Sequence, residues 1–300
     1  MLVTIGIPFF NGRATLRDAI RSVFAQTIED WELILADDGS SDGSLDIAQS
    51  VRDPRVRVIS DGINRGVEYR HNQIAAAARG KYVAKLDDDD LMHPERLERQ
   101  IQYLEVNPEA DVVGSSVYTV TLDDRLSGIR VVENSELTHE NVLAKGVLIQ
   151  PTVTGKAEWF QRNRYNPGFI RAEDHEIWCR TFAHSTFRCM REPLTFYREG
   201  SSRTIRKYIL SGRSDRRIFA QYGPGIVGWS STARLMVISH IKTQIYCALR
   251  LCRLQELALR NSRASLELEQ LAAAQSKLDW ILRRHVPGFL EEPAFLPTRR

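Results

Sequence analysis

The sequence predicts an α/β fold, a mainly parallel sheet flanked by helices, with a basic helical extension at its C-terminal end. Three observations carry that expectation. Strand-like and helix-like segments alternate over the first 120 residues, each apolar run ends in polar or acidic residues, and beyond about residue 205 the pattern turns almost wholly helical. Strict strand–helix alternation favours parallel pairing, because a parallel neighbour is reached through a crossover helix.

Taken in order, "LVTIGIPFF" is rich in β-branched residues and ends at the turn signal Asn11-Gly12. "ATLRDAIRSVFAQT" places Leu16, Ile20, Val23 and Phe24 near helical spacing. "WELILA" reads as a second strand closed by "DDGS", "SLDIAQSVR" as a short helix, and "RVRVIS" as a third strand. "VEYRHNQIAAAA" is a helix ended by Gly80, and "KYVAKL" is the fourth strand. Pro94 suits the first turn of "PERLERQIQYLEVN", and "ADVVGSSVYTV" is a fifth strand. Residues 120–200 are less regular: "GVLIQPTVTG" reads as a strand, "IRAEDHEIWCRTF" as a helix burying Ile177, Trp178 and Phe182, and "FRCMREPLTFYRE" as a closing strand. In the extension, Leu235, Ile238, Ile241, Ile245, Leu249 and Cys252 form one apolar stripe, and Leu268, Leu271, Leu278 and Ile281 mark a further helix.

Length and composition bound the function. Three hundred residues at 43% hydrophobic content can bury a large core. The net charge is only +3, but residues 201–300 hold 17 Lys and Arg against 7 Asp and Glu, so the first 200 are acidic and the tail is basic. Cys179, Cys189, Cys247 and Cys252 form no C-x-x-C pair and no zinc spacing with histidine, which disfavours a disulfide framework or structural zinc. The opening "MLVTIGIPFFNGR" lacks a basic leader and carries Pro8, so it does not read as a signal peptide. No run approaches the 18 or so uncharged apolar residues of a spanning helix. A cytoplasmic protein is expected, with the inner face of the plasma membrane as the place where a basic tail would meet lipid.

Open parallel sheets bind ligands outside the carboxyl ends of their strands. There the sequence puts Phe9, Phe10 and Asn11 after strand one, Asp37 and Asp38 after strand two, and Asp61 with Gly62 after strand three. Asp87, Asp88, Asp89 and Asp90 follow strand four. Four adjacent carboxylates repel one another when ionised. Asp87 and Asp89 can instead offer oxygen ligands to Mg²⁺ or Mn²⁺, which commonly use one or two carboxylates plus substrate phosphates. Asp38 can accept from a base N–H or a ribose hydroxyl, Phe10 can stack on a base, and Asp174 near a helix start is a candidate general base. The plainer reading of each is a solvated turn or an acidic helix entrance favoured by the dipole.

Together, "IPFFN", "LADDGSSD", "NRGVEYRHN", "ARGKYVAKLDDDDLMHPERLERQ" and "RAEDHEIWCR", in this order, resemble the family 2 glycosyltransferases over roughly residues 2–200. The resemblance implies a GT-A (Rossmann-like) fold, a nucleotide-diphospho-sugar donor, first among them a UDP-sugar, and Mn²⁺ or Mg²⁺. It implies inverting transfer to an acceptor hydroxyl of a glycan or lipid-linked acceptor in cell-surface polysaccharide or glycan synthesis. By position, Pro8, Phe10, Asp37, Asp38, Arg70, Asn72, Asp87 and Asp88 would face the nucleotide. Asp89, with Asp87, would bind the metal, Asp174 would be the catalytic base, and Glu173 would face the acceptor. The sequence departs from the family pattern at "YREGSSRT" and at Gln150-Pro151-Thr152, where members often carry a histidine.

The expected organisation is a transferase domain over 1–204, with a nucleotide half 1–119 and an acceptor-side half 120–204, then a basic helical extension over 205–300. That extension is open to packing on the domain, to self-association or to peripheral contact with an anionic membrane. Its basic residues lack the aromatic interleaving or reader motif of a nucleic-acid binder. Two rival functions remain. A sugar-phosphate nucleotidyltransferase would want a Gly-rich phosphate loop where "PFFNGRATLRD" stands, and a non-catalytic binding protein would not need Asp38, Asp87, Asp89 and Asp174 together.

Overall fold

The computed structural model describes residues 1–199, 205–251 and 268–289. Four parallel strands form its N-terminal half, β1 (Val3–Phe9), β2 (Trp31–Asp37), β3 (Val56–Ile59) and β4 (Tyr82–Lys85), in spatial order β3-β2-β1-β4. Helices α1 (Leu16–Phe24), α2 (Ser44–Ser50) and α3 (Val67–Ala77) connect them. β1 and β2 are buried along their whole length, as strands covered on both faces must be. Because β2 lies on one side of β1 and β4 on the other, the chain reverses direction across the sheet between β1 and β4. That reversal leaves a crevice at their carboxyl ends.

Pro8 marks the crevice. Gly6 O accepts from Leu86 N on the β4 side and Phe9 O accepts from Asp38 N on the β2 side, so Pro8 faces β4. The β1–β4 ladder has already ended at Gly6 and Lys85, one step earlier. A proline there removes no ladder bond.

The other half of the sheet is mixed. After β5 (Leu91–Met92), α4 (Arg96–Val106), β6 (Val112–Val120), β7 (Leu126–Arg130) and α5 (His139–Lys145), the short β8 (Thr154–Lys156) inserts antiparallel between β4 and β6. The run expected as one strand, "GVLIQPTVTG", is therefore divided. Gln150–Thr152 forms a 3₁₀ turn and only Thr154–Lys156 pairs, because Pro151 has a fixed φ and no N–H to donate. After α6 (Ala157–Arg162) and α7 (Glu173–Thr181), β9 (Phe187–Arg198) runs parallel to β6 and antiparallel to β5. Trp178 on α7 stacks on Trp159 at 5.9 Å and meets the edge of Phe187 at 5.3 Å, building the second core.

The extension packs on this body. α8 (Ile205–Ile226) buries Ile218 and Phe219 in the second core. α10 (Leu268–Leu282) buries Leu278 and Ile281 against Leu91, Val120 and Phe196, and Phe289 lies under the Arg17 guanidinium at 5.1 Å. Between them, α9 (Gly228–Leu251) packs on α8 through Thr232, Ser239, Thr243 and Tyr246 rather than through the apolar stripe. Of that stripe, Ile238, Ile241 and Ile245 are exposed and Cys252 lies outside the described residues.

Arg96 joins the two halves. Its guanidinium, fully buried, donates to the carbonyls of Lys85 (2.8 Å), Pro151 (2.7 Å) and Val153 (3.3 Å) and to Gln100 Oε1 (3.1 Å). Burial pushes its pKa down to about 9 against the pull of Asp90 and Asp87. Arg96→Met keeps the volume but leaves buried carbonyls unpaired, and should cost roughly 3–5 kcal/mol in urea unfolding. A loss below about 1 kcal/mol, the ordinary spread for a tolerated substitution, would refute its role as the clamp between halves.

Candidate active site

The carboxyl ends of β1, β2 and β4 and the start of α7 enclose one cleft of about 940 Å³. Pro8, Phe10, Asp38, Asp87, Asp88, Asp89, Glu173 and Asp174 all line it. Eight of the sequence-selected residues are thus brought together from segments up to 166 positions apart in the chain.

Three others do not line the cleft. Asp37 is buried and spends its carboxylate on Ser40 N (2.9 Å) and Ser60 Oγ (2.7 Å), fixing the turn after β2. Arg70 is fully buried and bridges Asp38 (3.0 Å), Asp61 (2.6 Å) and the Ile63 carbonyl (2.6 Å). Asn72 grips both the N–H and the carbonyl of Tyr165. Their side chains hold the wall from behind. Asp38 itself accepts from Arg65 N (2.8 Å), Gly66 N (3.0 Å) and Arg70, which fixes its carboxylate at the cleft surface.

The acidic cluster sits where β4 has run out of partners. One carboxylate oxygen from each of Asp87, Asp89 and Asp90 lies within 4.8 Å of the others. Asp88 accepts from the Phe10 N–H and abuts Gly12 so closely that a Cβ there would overlap its carboxylate. Desolvation, then repulsion from Asp89, pushes Asp87 up to about 8 and Asp88 up to about 7. Asp90 is raised well above the usual carboxylate range by burial and then by Asp89, and its Oδ2 has no hydrogen-bond partner among the described residues. An all-oxygen set with surplus negative charge and a buried, unsatisfied oxygen fits a hard divalent cation.

Across the cleft, Glu173 and Asp174 open α7. Asp174 Oδ1 accepts from His175 N at 2.7 Å, and burial raises its pKa. Burial and then the Asp174 charge push Glu173 up to about 8, with Oε2 buried and unpartnered. Carboxyls raised in this way suit proton transfer near neutrality.

Sequence reasoning missed several residues. Arg198, at the end of β9, donates its N–H to Asp90 (2.8 Å) and its guanidinium to the Asp89 carbonyl (3.1 Å), Asp124 and Asp18. Lys85 is buried behind Asp87 with its ammonium against the Tyr165 hydroxyl and ring, and Gln150 bonds the same hydroxyl at 2.9 Å. Arg171 lines the cleft with φ +62, a left-handed backbone seldom held without a local reason. Only Arg171, three positions before Asp174 in the chain, carried a sequence signal.

A model of glycosyl transferase family 2 matches residues 4–190. The chain belongs to that family. As a family 2 glycosyltransferase it is 30% identical over 188 residues to EpsE of Bacillus subtilis, provisionally named a glycosyltransferase, covering 60% of this chain and 66% of EpsE. It is 28% identical over 180 residues to the Escherichia coli UDP-Glc:α-D-GlcNAc-diphosphoundecaprenol β-1,3-glucosyltransferase WfgD, covering 59% and 68%. The match thus spans just under two thirds of EpsE. Among solved structures, S. aureus TarS 1–349 with UDP-GlcNAc aligns with a TM-score of 0.61 at 14% identity, covering 94% of this chain and 82% of that one. The mannosyltransferase PcManGT of Pyrobaculum calidifontis, solved with GDP-Man and Mn²⁺, aligns at 0.57 with 13% identity, covering 93% and 84%. The shared architecture is the GT-A fold.

One contact ties the extension to the family's helix. His175 Nε2 faces the Leu143 carbonyl at 2.8 Å and Nδ1 faces Asp215 of α8 at 3.1 Å. Burial opposes a charge there, but the Asp215 carboxylate and Cys179 together outweigh it and hold the imidazole pKa well above its ordinary value. A raised folded pKa stabilises fully below the unfolded value of about 6.5 and loses that contribution as pH rises through the folded value. Asp215→Asn should therefore cost more stability at pH 6 than at pH 9.5 in urea unfolding. An equal loss at both pH values would show that His175 gains nothing from this carboxylate.

Proposed function

We propose that this protein is a metal-dependent, inverting glycosyltransferase. It moves a sugar from a nucleotide-diphospho-sugar, a UDP-sugar first among candidates, to an acceptor hydroxyl in polysaccharide or glycan synthesis. The observation that carries the proposal is the single cleft in which Asp38, the Asp87–Asp89 cluster and the Glu173–Asp174 pair face one another. Relatives and neighbours that use UDP-Glc, UDP-GlcNAc and GDP-Man support the donor class.

In this reading residues 1–204 form the transferase domain, with 1–119 serving the nucleotide and 120–204 the acceptor, and 205–300 is an extension. Asp38 accepts from the nucleobase, Phe10, half exposed at the rim, stacks on it, and Pro8 lines the same wall. Asp88 takes the ribose or phosphates. Asp37, Arg70 and Asn72 serve the nucleotide indirectly, by holding Asp38 and the Tyr165 loop. Asp89, with Asp87, would hold Mn²⁺ or Mg²⁺, which when bound neutralises the diphosphate of the leaving group. Asp174 removes the acceptor proton as the new C–O bond forms, on the face opposite the departing diphosphate. An α-linked donor then yields a β-glycoside. Glu173 orients the acceptor hydroxyl. No helix among the described residues is long and apolar enough to cross a membrane. We place the reaction in the cytoplasm, with a glycan or lipid-linked acceptor.

Asp174→Asn should lower kcat by about 10²–10⁴-fold, the usual worth of a positioned base, while nucleotide affinity stays within a few-fold. Turnover unchanged by that substitution would remove Asp174 from the role of base. In thermal unfolding, one nucleoside diphosphate with Mn²⁺ should raise the midpoint, by the equivalent of about 2.7 kcal/mol at a hundredfold excess over Kd. Asp89→Ala should abolish the shift. A folded protein that shifts with no nucleotide, with or without metal, would favour a non-catalytic binding protein.

A further inference from the structure

We infer that the α8–α9 hairpin is a peripheral docking surface for an anionic lipid bilayer, which α9 enters lengthwise with the face turned away from the protein. α9 is packed on one side only. Thr232, Thr243 and Tyr246 are buried and Ser239 is half-buried, and Thr232 and Thr243 approach Gly223 and Gly212 of α8 so closely that a Cβ on either glycine would overlap the threonine hydroxyl. Small and hydroxylic residues thus form much of the inner seam, Leu235 and Met236 pack towards the second core, and Val237, Ile241 and Ile245 are left outside.

The outer face carries Val237 (57% exposed), Ile241 and Ile245 (53%), spaced to share one side of the helix away from the seam, and Ile238 stands at its edge, where it also lines the groove beside α8. Trp229, 79% exposed, stands at the first turn. An aromatic ring at the end of an apolar helical face is favoured at the membrane–water boundary. At 24 residues and about 1.5 Å of rise per residue, α9 is roughly 36 Å long. It is not apolar enough to span. Arg234 and Lys242 are exposed beside the aliphatic residues, and their long stems let the charges reach headgroups while the apolar face is buried.

Charge selects the occupant. Between residues 205 and 251 the chain carries eight Lys and Arg against one acid, Asp215. Asp215 is engaged by His175, Arg216 by Ser239 and Thr243 in the seam and Arg217 by the Gly168 carbonyl, so six basic residues remain against no other acid. α9 itself has no acidic residue. A second copy docking through the same surface would bring two such basic hairpins face to face, whereas anionic headgroups complement them. The inference does not rest on the catalytic reading, because neither Asp89 nor Asp174 belongs to this surface.

The full chain would be tested by co-sedimentation with vesicles of neutral phosphatidylcholine and of phosphatidylcholine with 30% phosphatidylglycerol, alongside light scattering for oligomeric state. Binding at least tenfold tighter to the anionic vesicles is expected, weakening with salt and accompanied by a blue shift of tryptophan emission that Trp229→Ala removes. Ile238→Ser, Ile241→Ser and Ile245→Ser combined leave net charge unchanged and should weaken binding at least tenfold. The paired Arg234→Gln and Lys242→Gln should weaken it on anionic vesicles alone. Should the triple serine variant fail to fold, Trp229→Ala and the paired glutamine variant decide. Absence of binding to anionic vesicles, binding that all variants retain, or a stable dimer that the serine substitutions dissociate without vesicle binding would each overturn the inference.

Discussion

The structure turns on a surplus of carboxylate at one point, the carboxyl end of β4. Asp87, Asp89 and Asp90 bring oxygens within 4.8 Å of one another, in surroundings that disfavour the ionised forms of Asp87 and Asp90. Such a cluster survives folding only if the rest of the chain holds it in place. Arg198 does so from β9, bonding Asp90 through its backbone and the Asp89 carbonyl through its guanidinium. Arg96 does so from α4, bonding the Lys85 carbonyl at the last paired residue of β4. Both arginines are buried, and both contribute through geometry as much as through charge. Each ties the N-terminal half of the sheet to elements that follow residue 120.

The same two-sided construction recurs at Asp38. Arg70 lies beneath it and the N–H groups of Arg65 and Gly66 flank it, so the loop after β3 is folded around the carboxylate that β2 delivers. Arg70 in turn reaches Asp61 and the Ile63 carbonyl. Arg70, which the sequence reading places at the nucleotide, is here a brace for Asp38. Buried arginines suit that task because one planar group serves several acceptors at once.

Much of the site was legible because its parts are punctuated locally. Each apolar strand ends abruptly in acid or turn residues, and the carboxyl-end rule gathers the endings of β1, β2 and β4 into one location without knowledge of a single contact, while Asp61 after β3 is taken up by Arg65 and Arg70 outside the cleft. The supporting residues were illegible for the complementary reason. Arg198 meets Asp90 across 108 positions, Asn72 meets Tyr165 across 93, and no local pattern announces either pair. Residues 146–155 were misread as one strand because β-branched residues are abundant there, and Pro151 outweighs them. The direction of a helical stripe was beyond the sequence too. Periodicity states that Ile238, Ile241 and Ile245 share a face, but only the close approach of Thr232 and Thr243 to α8 decides that the face is the outer one.

That inversion on α9 bears on how the extension relates to the cleft. A helix packed through threonine and glycine brings backbones close without needing bulk in the seam, which frees its large side chains for another surface. α8 supplies the other side of the seam and also carries Asp215 to His175, the residue after Asp174. The chain is therefore mechanically continuous from the outward aliphatic face, through α8, to the first turn of α7. Whatever α9 rests upon, the position of α8 is constrained by it, and the imidazole clamped between Asp215 and the Leu143 carbonyl passes that constraint to the helix start beside the cleft. A strongly basic appendage could have been tethered by a loose linker. Here α8 is bonded instead to the helix that begins with Glu173 and Asp174, through Asp215 to His175 and Tyr222 to Glu176.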